Sequence, residues 1–361
     1  GRLDATTDPS VLAEADVVIV CVPTPLNKTK APDMRFIVAA VDEIARYQHD
    51  DMLVILESTS YPGTTSEVLV PKLTAAGQIL GRSIFVAFSP ERVDPGNRVY
   101  GTRNTPKVLG GATPECLALA SALYSQIIDE LVPVSSTEAA EMVKLLENTF
   151  RAVNIGLANE VALMSRKLRV DPFEVIRAAA TKPFGFMPFY PGPGLGGHCV
   201  PIDPLYLSWK LRTLDYEARF IALADSINAQ MPTHVVERTS EALNDQAKPV
   251  RGSRILLYGV AYKANVNDCR ESPAFAIIHG LQKRGARVSY MDPLIPNVDE
   301  EGVKQTSVEL DTDFGLFDAV VLLAAHEGLD LERLARQARL VIDTRDALRD
   351  IRHNRQNVYG L

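Results

Sequence analysis

Residues 254–259 read Arg-Ile-Leu-Leu-Tyr-Gly, a short apolar run that ends at a glycine. Ser272-Pro273 then begins a helical pattern that ends at Gly285, and Arg287 to Asp292 form a second apolar run. Apolar strands separated by a helix are typical of a parallel sheet covered on both faces. Two further strands are predicted at 319–323 and 340–343. The last third of the chain is therefore predicted to be a doubly wound α/β domain, which binds ligands where the strand order reverses.

The first third of the chain shows the same alternation. Its predicted strands are the apolar runs at 17–22, 52–57, 84–88 and 131–134. The Gly-x-Gly-x-x-Gly turn that should follow the first strand of a dinucleotide-binding sheet is absent from this third, and the chain opens without room for that strand and its helix. We therefore expect a Rossmann domain lacking its N-terminal strand and glycine-rich turn. A natural start with a degenerate cofactor site is the alternative.

The middle of the chain is helical. From Thr137 onward, apolar residues recur at three- and four-residue steps. They are Val143, Leu146, Phe150, Val153, Leu157, Val161 and Met164. A second helical run covers Phe220 to Leu243, and we expect an interruption near Pro232. The sequence thus predicts three domains: a partial Rossmann domain (1–135), a helical region (136–245) and a second Rossmann-like domain (246–361).

The composition and charge of the chain limit the kinds of function that it can have. The chain has 361 residues, of which 46% are hydrophobic, and a formal charge of −7. No apolar run reaches the roughly 18 to 20 residues that span a bilayer, and no leader pattern opens the chain, so we expect a cytoplasmic protein. The negative charge argues against nucleic-acid binding. An anionic small ligand would need local cations, for which Arg270, Lys263 and Lys144 are candidates.

The cysteines show no metal or disulfide pattern. The four are Cys21, Cys116, Cys199 and Cys269, without C-x-x-C pairs or matching histidines. We expect Cys21 to lie in a strand core, Cys116 to be packed, and Cys269 to be a surface thiol.

Cys199 has unusual surroundings. Residues 191–204 read Pro-Gly-Pro-Gly-Leu-Gly-Gly-His-Cys-Val-Pro-Ile-Asp-Pro. Glycines allow a ligand to approach the backbone closely, and the flanking prolines stiffen the loop. A thiol there is typical of a nucleophile, although a small buried cysteine in a tight turn is the alternative.

The pattern Gly-Gly-x-Cys-x-Pro-x-Asp resembles the signature of the UDP-glucose/GDP-mannose dehydrogenase family. Further segments resemble that family in the same order: Ser58-Thr59, 89–92, 141–148, and 259–263 with 268–273. The cysteine loop is most similar to the branch that oxidises UDP-N-acetylglucosamine. The resemblance implies two Rossmann-like domains joined by long helices that form a homodimer.

The resemblance also implies the chemistry. Family members oxidise a sugar C6 hydroxyl to an acid with two NAD molecules, through a thiohemiacetal and a thioester on cysteine. Cys199 falls on the nucleophile, Lys144 on the base that accepts the alcohol proton, and Asp203 on its partner. Asn148 lies one helical turn from Lys144 and is expected to face the same pocket. Alone, Asp203 could equally be a turn residue bonding its own backbone.

The remaining site residues come from the same resemblance. Thr59 is expected near the reacting carbon, and Glu91 in thioester hydrolysis; a second family glutamate is replaced by Pro95, for which Asp94 is the substitute. The expected NAD contacts are Val22, Pro23, Thr24, Pro25, Ser58, Thr59 and Arg270. The expected substrate contacts are Glu91, Lys144, Asn148, Gly194, Gly196, Gly197 and Lys263. His198 is expected to be a loop residue, and Ile202 stands where UDP-glucose enzymes often have lysine.

Two hypotheses from different classes follow. The first is a UDP-N-acetylglucosamine 6-dehydrogenase serving surface polysaccharide synthesis, with UDP-glucose or another UDP-N-acetylhexosamine as alternative substrates. The second is a nucleotide-sugar-binding module without catalysis. The presence of Cys199, Lys144 and Asp203 together favours the enzyme.

Overall fold

A computed structural model describes residues 3–27, 29–94, 97–352 and 357–361. The chain forms two compact units. The first runs to Thr149 and takes in Ile202–Ala218, and the second comprises Phe150–Pro201 and Arg219–Leu361. The three-domain boundaries expected from the sequence stay a prediction.

The first unit is built on a five-stranded sheet with the strands in chain order. They are β1 (Val17–Val20), β2 (Met52–Leu56), β3 (Ile84–Phe88), β4 (Lys107–Gly111) and β5 (Leu131–Val134). The first three strands are parallel, as the apolar runs predicted. The sequence did not predict β4, which pairs antiparallel with β3 and parallel with β5. Its Lys-Val-Leu-Gly-Gly sequence offers only two strand-forming residues.

The predicted apolar runs at 17–22 and 52–57 extend beyond the carboxyl ends of the observed strands, which lie at Val20 and Leu56. Because β1 ends at Val20, Cys21 lies beyond it and is exposed. Its predicted place in a strand core was therefore wrong.

Helices cover both faces of this sheet. They are α1 (Arg35–Tyr47), α2 (Val70–Thr74) and α3 (Pro114–Tyr124). A short 3-10 helix at Pro9–Glu14 precedes β1, and a π-helical turn at Thr65–Leu69 leads into α2. The Thr113 hydroxyl caps α3 by accepting the Cys116 N–H at 3.2 Å. Cys116 is fully buried, so its predicted packing is confirmed.

The strand β2 is buried on both faces, which explains its unbroken apolar sequence. Met52, Val54 and Leu56 belong to one core, and Leu53 and Ile55 to another. The two cores fix the sheet between its helices.

The long helix α4 (Thr137–Leu168) matches the predicted helical stripe. A separate helix, α6 (Asp203–Arg212), packs within the first unit. The Tyr206 hydroxyl donates to the Pro25 carbonyl at 3.2 Å, and Lys210 Nζ pairs with Glu67 at 2.6 Å. These contacts hold α6 within the first unit.

The second unit contains a parallel sheet in the order β12-β11-β10-β6-β7. Its strands are β6 (Arg254–Tyr258), β7 (Arg287–Met291), β10 (Ala319–Leu322), β11 (Val341–Asp343) and β12 (Val358–Gly360). The chain leaves β6 toward β7 and returns to the other side of β6 at β10. The predicted doubly wound domain is confirmed, with its order reversing between β6 and β10. An unpredicted hairpin, β8 (Asn297–Glu300) and β9 (Val303–Thr306), follows β7.

The helices of this unit are α5 (Pro172–Ala180), α7 (Arg219–Asp245), α8 (Pro273–Lys283), α9 (Leu331–Gln337) and α10 (Arg349–Arg352). The predicted interruption near Pro232 was wrong, because α7 continues through that residue. Met231, Val235 and Val236 are buried in the main core of this unit. Their burial offsets the backbone hydrogen bond that the proline removes.

Within the described ranges, no helix is long and apolar enough to cross a bilayer.

Substitution of Gly259 tests the packing at the end of β6. Gly259 and Gly252 both have positive φ, +81° and +84°, but a Cβ on Gly259 would lie 2.3 Å from the Ala324 carbonyl oxygen. Gly252 has open space. Gly252→Ala should lower the free energy of unfolding by about 1 kcal/mol, the cost of the backbone conformation. Gly259→Ala should lower it by about 3 kcal/mol. Equal losses in urea unfolding would contradict the close approach of the two loops.

Candidate active site

The loop after β1 is held by a buried serine. Ser58 follows β2, and its Oγ accepts the Val22 N–H at 2.7 Å and lies 3.0 Å from the Val22 carbonyl oxygen. Thr59 comes next and is half-buried. The expected cofactor contacts of this unit thus lie together at the carboxyl edge of β1 and β2. None of these side chains, at 22–25 and 58–59, is acidic, which fits an anionic dinucleotide.

The two polar residues predicted on one helical face do face one side of α4. Lys144 Nζ donates to the Glu91 carbonyl oxygen at 2.6 Å. Asn148 Nδ2 donates to Asp203 Oδ2 at 2.6 Å, with Asn148 and Asp203 only 4% and 2% exposed. The structure therefore brings Lys144, Asn148, Asp203 and the Glu91 backbone together.

Asp203 is the first residue of α6. Burial raises the pKa of its carboxyl to about 7, against the opposing effects of the Lys144 charge and the Asn148 hydrogen bond. Since Asn148 engages the carboxyl, the alternative of a simple turn residue loses its support. A carboxyl with this pKa can exchange a proton near neutrality.

Glu91 is exposed on the loop after β3. Its Oε1 accepts the Val93 N–H at 2.5 Å, and the adjacent Arg92 pairs with Glu147 of α4 at 2.6 Å. The ion pair between Arg92 and Glu147 holds the loop that carries Glu91 against α4. Pro95 lies outside the described residues, so the substitution by Asp94 stays a prediction.

Sequence reasoning missed Glu141, which lies one turn before Lys144. Its buried carboxyl accepts the Gly63 N–H at 2.6 Å, and the N–H and hydroxyl of Thr65 at 2.8 and 2.7 Å. Burial raises its pKa to about 7, although these hydrogen bonds oppose the shift. Glu141 thus ties the segment after Thr59 to the helix that carries Lys144. Glu141 lies in the segment 141–148 that resembles the family, and this position was the signal that could have marked it as a site residue.

The cysteine loop belongs to the second unit. Cys199 is an exposed thiol, and His198 beside it is also exposed. Gly197 has φ +81°, and a Cβ there would lie 2.8 Å from the Tyr262 ring. A Cβ on Gly196 would lie 2.8 Å from the Glu271 carbonyl oxygen. Gly196 and Gly197 are therefore required by close packing within the protein, and the expected close approach of a ligand to the loop backbone stays a prediction.

A cavity of about 390 Å³ opens at the carboxyl edge of the second sheet, where the strand order reverses. Loops after β6, β10 and β11 form its wall together with the glycine loop and α4. The lining comprises Arg151, Ile155, Tyr190, Gly192, Gly194, Leu195, Gly196, Val200, Tyr262, Lys263, Ala264, Ala324, Ala325 and Arg345. Of the predicted substrate contacts in this unit, Gly194, Gly196 and Lys263 line the cavity.

Two cations of this cavity, Arg151 and Arg345, were not predicted. Arg345 Nε donates to the Leu323 carbonyl at 2.8 Å. Desolvation lowers the pKa of Arg345 to about 10, and the nearby Asp343 opposes the shift. With Lys263, three cationic side chains line one cavity, which suits an anionic ligand. The position of Arg345, just past a predicted strand, was a signal for it.

Arg270 also lies in the second unit, where it forms a 2.7 Å ion pair with Asp268. Its expected contact with NAD stays a prediction. Cys269 beside it is partly buried and packs against the main core, so the expectation of a surface thiol was wrong.

Comparison with known proteins identifies the family. Three models of the UDP-glucose/GDP-mannose dehydrogenase family match: the NAD binding domain over residues 1–128, the central domain over 138–230 and the UDP binding domain over 256–350. The chain is 35% identical over 320 residues to a UDP-N-acetyl-D-glucosamine 6-dehydrogenase of Pseudomonas aeruginosa, covering 87% of this chain and 75% of that protein.

Relatives named for another sugar are equally similar. A UDP-N-acetyl-D-mannosamine dehydrogenase of Salmonella typhi is 35% identical over 364 residues, covering 97% of this chain and 85% of that protein. The solved structure of a UDP-D-ManNAc dehydrogenase from Pyrococcus horikoshii superposes with a TM-score of 0.89 at 31% identity, covering 100% of this chain and 84% of that one.

The three matched domains and these similarities extend over most of the chain and agree with its two sheets and its cavity. The chain therefore belongs to the UDP-glucose/GDP-mannose dehydrogenase family, as an NAD-dependent UDP-sugar dehydrogenase.

Proposed function

We propose that the protein oxidises the C6 hydroxyl of UDP-N-acetylglucosamine to the uronic acid, with NAD as the oxidant and Cys199 as the nucleophile. The observation that carries this proposal is the cationic cavity at the switch point of the second sheet, since its glycine-loop wall leads directly to Cys199. A diphosphate fits the cations, and the attached sugar would extend along the loop.

The first oxidation needs a group that takes the hydroxyl proton. Lys144 and Asp203 share this role, because the lysine neighbours a carboxyl whose pKa of about 7 lets it hold or release a proton. Asn148 keeps the carboxyl in place through its 2.6 Å hydrogen bond. Val22, Ser58 and Thr59 would hold NAD at the edge of the first sheet, and the bound cofactor would accept the hydride in each oxidation.

The covalent steps retain the reactive intermediate. The Cys199 thiolate adds to the aldehyde carbon to form a thiohemiacetal, and loss of a second hydride leaves a thioester. Water attacks the thioester carbon, the C–S bond breaks, and the acid leaves as the thiol is restored. Overall, one alcohol, one water and two NAD⁺ give one carboxylate, two NADH and three protons. Glu91 assists the attack of water.

The N-acetylglucosamine assignment rests on the 191–204 loop and on the Pseudomonas aeruginosa relative. The relatives named for N-acetylmannosamine make that C2 epimer the second candidate.

A homodimer is supported by an apolar groove of about 640 Å³ in the second unit. Phe184 and Met187, 71% and 64% exposed, line it with the α4 residues Phe150 and Leu157. Exposed apolar side chains around a groove are typical of a covered surface. The cytoplasmic location and the role in surface polysaccharide synthesis stay predictions.

Replacing Cys199 tests the covalent route. Cys199→Ala should bind UDP-sugar normally but lower acid formation at least about a thousandfold, because no thioester can form. The unsubstituted enzyme should yield two NADH per sugar without free aldehyde. Cys269→Ala is the control and should retain activity. Accumulating aldehyde in the unsubstituted enzyme, or turnover by Cys199→Ala, would refute the scheme.

Substrate choice tests the sugar assignment. A site that hydrogen-bonds the N-acetyl group rejects an analogue lacking it. UDP-N-acetylglucosamine should exceed UDP-glucose in kcat/KM by at least about a hundredfold, roughly 2.7 kcal/mol in transition-state binding. UDP-N-acetylmannosamine measured in parallel decides between the epimers. Similar kcat/KM values for UDP-N-acetylglucosamine and UDP-glucose would reject the assignment.

The pKa of Asp203 has a stability consequence. An acid whose pKa is raised by folding stabilises the folded state below its unfolded pKa, and that stability is lost as pH rises toward the folded pKa of about 7. Asp203→Asn has no titrating carboxyl at this position, so it does not lose stability in this way as the pH rises. Its free energy of unfolding relative to the unsubstituted protein should therefore increase by about 2 kcal/mol between pH 5 and pH 8. Exposed Asp245→Asn serves as control. A difference that does not change with pH would contradict the burial of a titrating carboxyl.

A further inference from the structure

A buried histidine in the second unit has both ring nitrogens engaged. His326 Nδ1 lies 2.9 Å from the Asn265 backbone nitrogen, and Nε2 lies 3.2 Å from Asp292 Oδ2. The His326 and Asp292 side chains are 1% and 0% exposed. A backbone N–H can only donate, so Nδ1 is the acceptor and Nε2 carries the proton toward Asp292. The surroundings thus select one tautomer.

Asp292, just past β7, gathers backbone donors from two loops. Its Oδ2 also accepts the N–H groups of Val260 and Ala261 at 2.7 and 3.0 Å. Its Oδ1 accepts those of Leu294 and Ile295 at 2.8 and 3.1 Å. The carboxylate therefore fixes the start of the loop after β6 even without the histidine.

Asn265 closes the other end of that loop. Its φ of +64° is a conformation that asparagine tolerates better than most residues. While its N–H donates to His326, its side-chain Oδ1 accepts the Glu327 N–H at 2.7 Å. This reciprocal pair joins the loop after β6 to the loop after β10.

The residues between these anchors line the cavity. Tyr262, Lys263 and Ala264 lie between Ala261 and Asn265, and Ala324 and Ala325 immediately precede His326. The cavity lining is formed by these neighbours and not by Asn265, Asp292 or His326. The network ends on the two loops that line the cavity, which points to a role in shaping the cavity in addition to stabilising the core.

We propose that Asn265, His326 and Asp292 are positioning residues that hold the cavity loops in the shape that binds the nucleoside diphosphate half of the substrate. This proposal rests on the proposed function of the cavity. The His326 ring connects the two anchors, because it contacts the Asn265 N–H through Nδ1 and Asp292 through Nε2.

Two substitutions separate the two ring nitrogens. In His326→Asn, the side-chain Oδ1 takes the place of Nδ1 and can still accept the Asn265 N–H. In His326→Gln, the side-chain amide takes the place of Nε2 and can still donate to Asp292, but the Asn265 N–H loses its acceptor. A buried unsatisfied N–H is costly, so the loop carrying Tyr262 and Lys263 should be released in His326→Gln.

The measurement is the Kd of UDP, by titration calorimetry on the whole chain. His326→Gln should raise Kd at least about tenfold, and His326→Asn should stay within about threefold, because Asp292 keeps its four backbone donors. In turnover, His326→Gln should raise KM for the UDP-sugar while kcat at saturation and KM for NAD are unchanged. The exposed His279, whose Nε2 contacts the Glu301 carbonyl, supplies the control His279→Gln.

Equal Kd values for the two His326 variants would overturn the proposal, as would a lower kcat with unchanged KM. Should His326→Gln fail to fold, Asn265→Gly retains the N–H and the positive φ but removes the acceptor for Glu327, and should raise Kd about fivefold. An unchanged Kd in that variant would overturn the proposal too. Failure of the unsubstituted protein to bind UDP would instead reject the function assigned to the cavity, and the positioning role with it.

Discussion

The hydrogen bond from Asn148 to Asp203 is the contact on which the proposed catalytic arrangement of the first unit depends. It joins the helix that carries Lys144 to the first residue of α6, and both partners are buried. Burial favours the neutral carboxyl, whereas the amide donor and the lysine favour the charged one. The balance places the titration of Asp203 near neutrality, where it is useful for proton transfer. The contacts of Tyr206 with Pro25 and of Lys210 with Glu67 also hold α6 within the first unit.

The second unit carries a different feature, a cavity at the edge of its sheet that suits an anionic ligand. Parallel strands bring the loops after β6, β10 and β11 to one side, and the reversal of strand order leaves a cavity between them. Lys263, Arg345 and Arg151 supply the positive charge that a chain of net charge −7 lacks overall. The buried network around His326 and Asp292 then fixes the loops. Loops that were not held in place would lose conformational entropy when the ligand binds, and this loss would weaken binding.

The sequence predicted those parts of the fold whose signals are local. Apolar runs located β2, β3, β6 and β10 because strands buried on both faces must be apolar throughout. The partly exposed strands β1 and β5 were also located by their apolar sequence. It failed at β4, where glycines hide the strand, and at Pro232, where core packing overrides the helix-breaking residue. Cys21 was misplaced because the apolar run continues past the end of its strand.

The candidate site was predictable only where residues lie close in sequence or on one helical face. Lys144 and Asn148 are separated by one turn, so their common orientation could be inferred. The contact between Asn148 and Asp203 crosses 55 positions, and the Glu141 contacts cross more than 70, so no periodicity reveals them. Arg345 and His326 act through loops that only the strand order brings together. The resemblance of motifs supplied the roles that geometry could not.

The mass of the Cys199 peptide during turnover tests the covalent mechanism most directly. Glu91→Gln enzyme, in which hydrolysis should be slow, would be mixed with UDP-N-acetylglucosamine and NAD, quenched in acid and digested. The covalent mechanism predicts a sugar-acyl adduct on the peptide containing Cys199, approaching one per chain. NADH formation without that adduct, or an adduct on the Cys21 or Cys269 peptide, would contradict it.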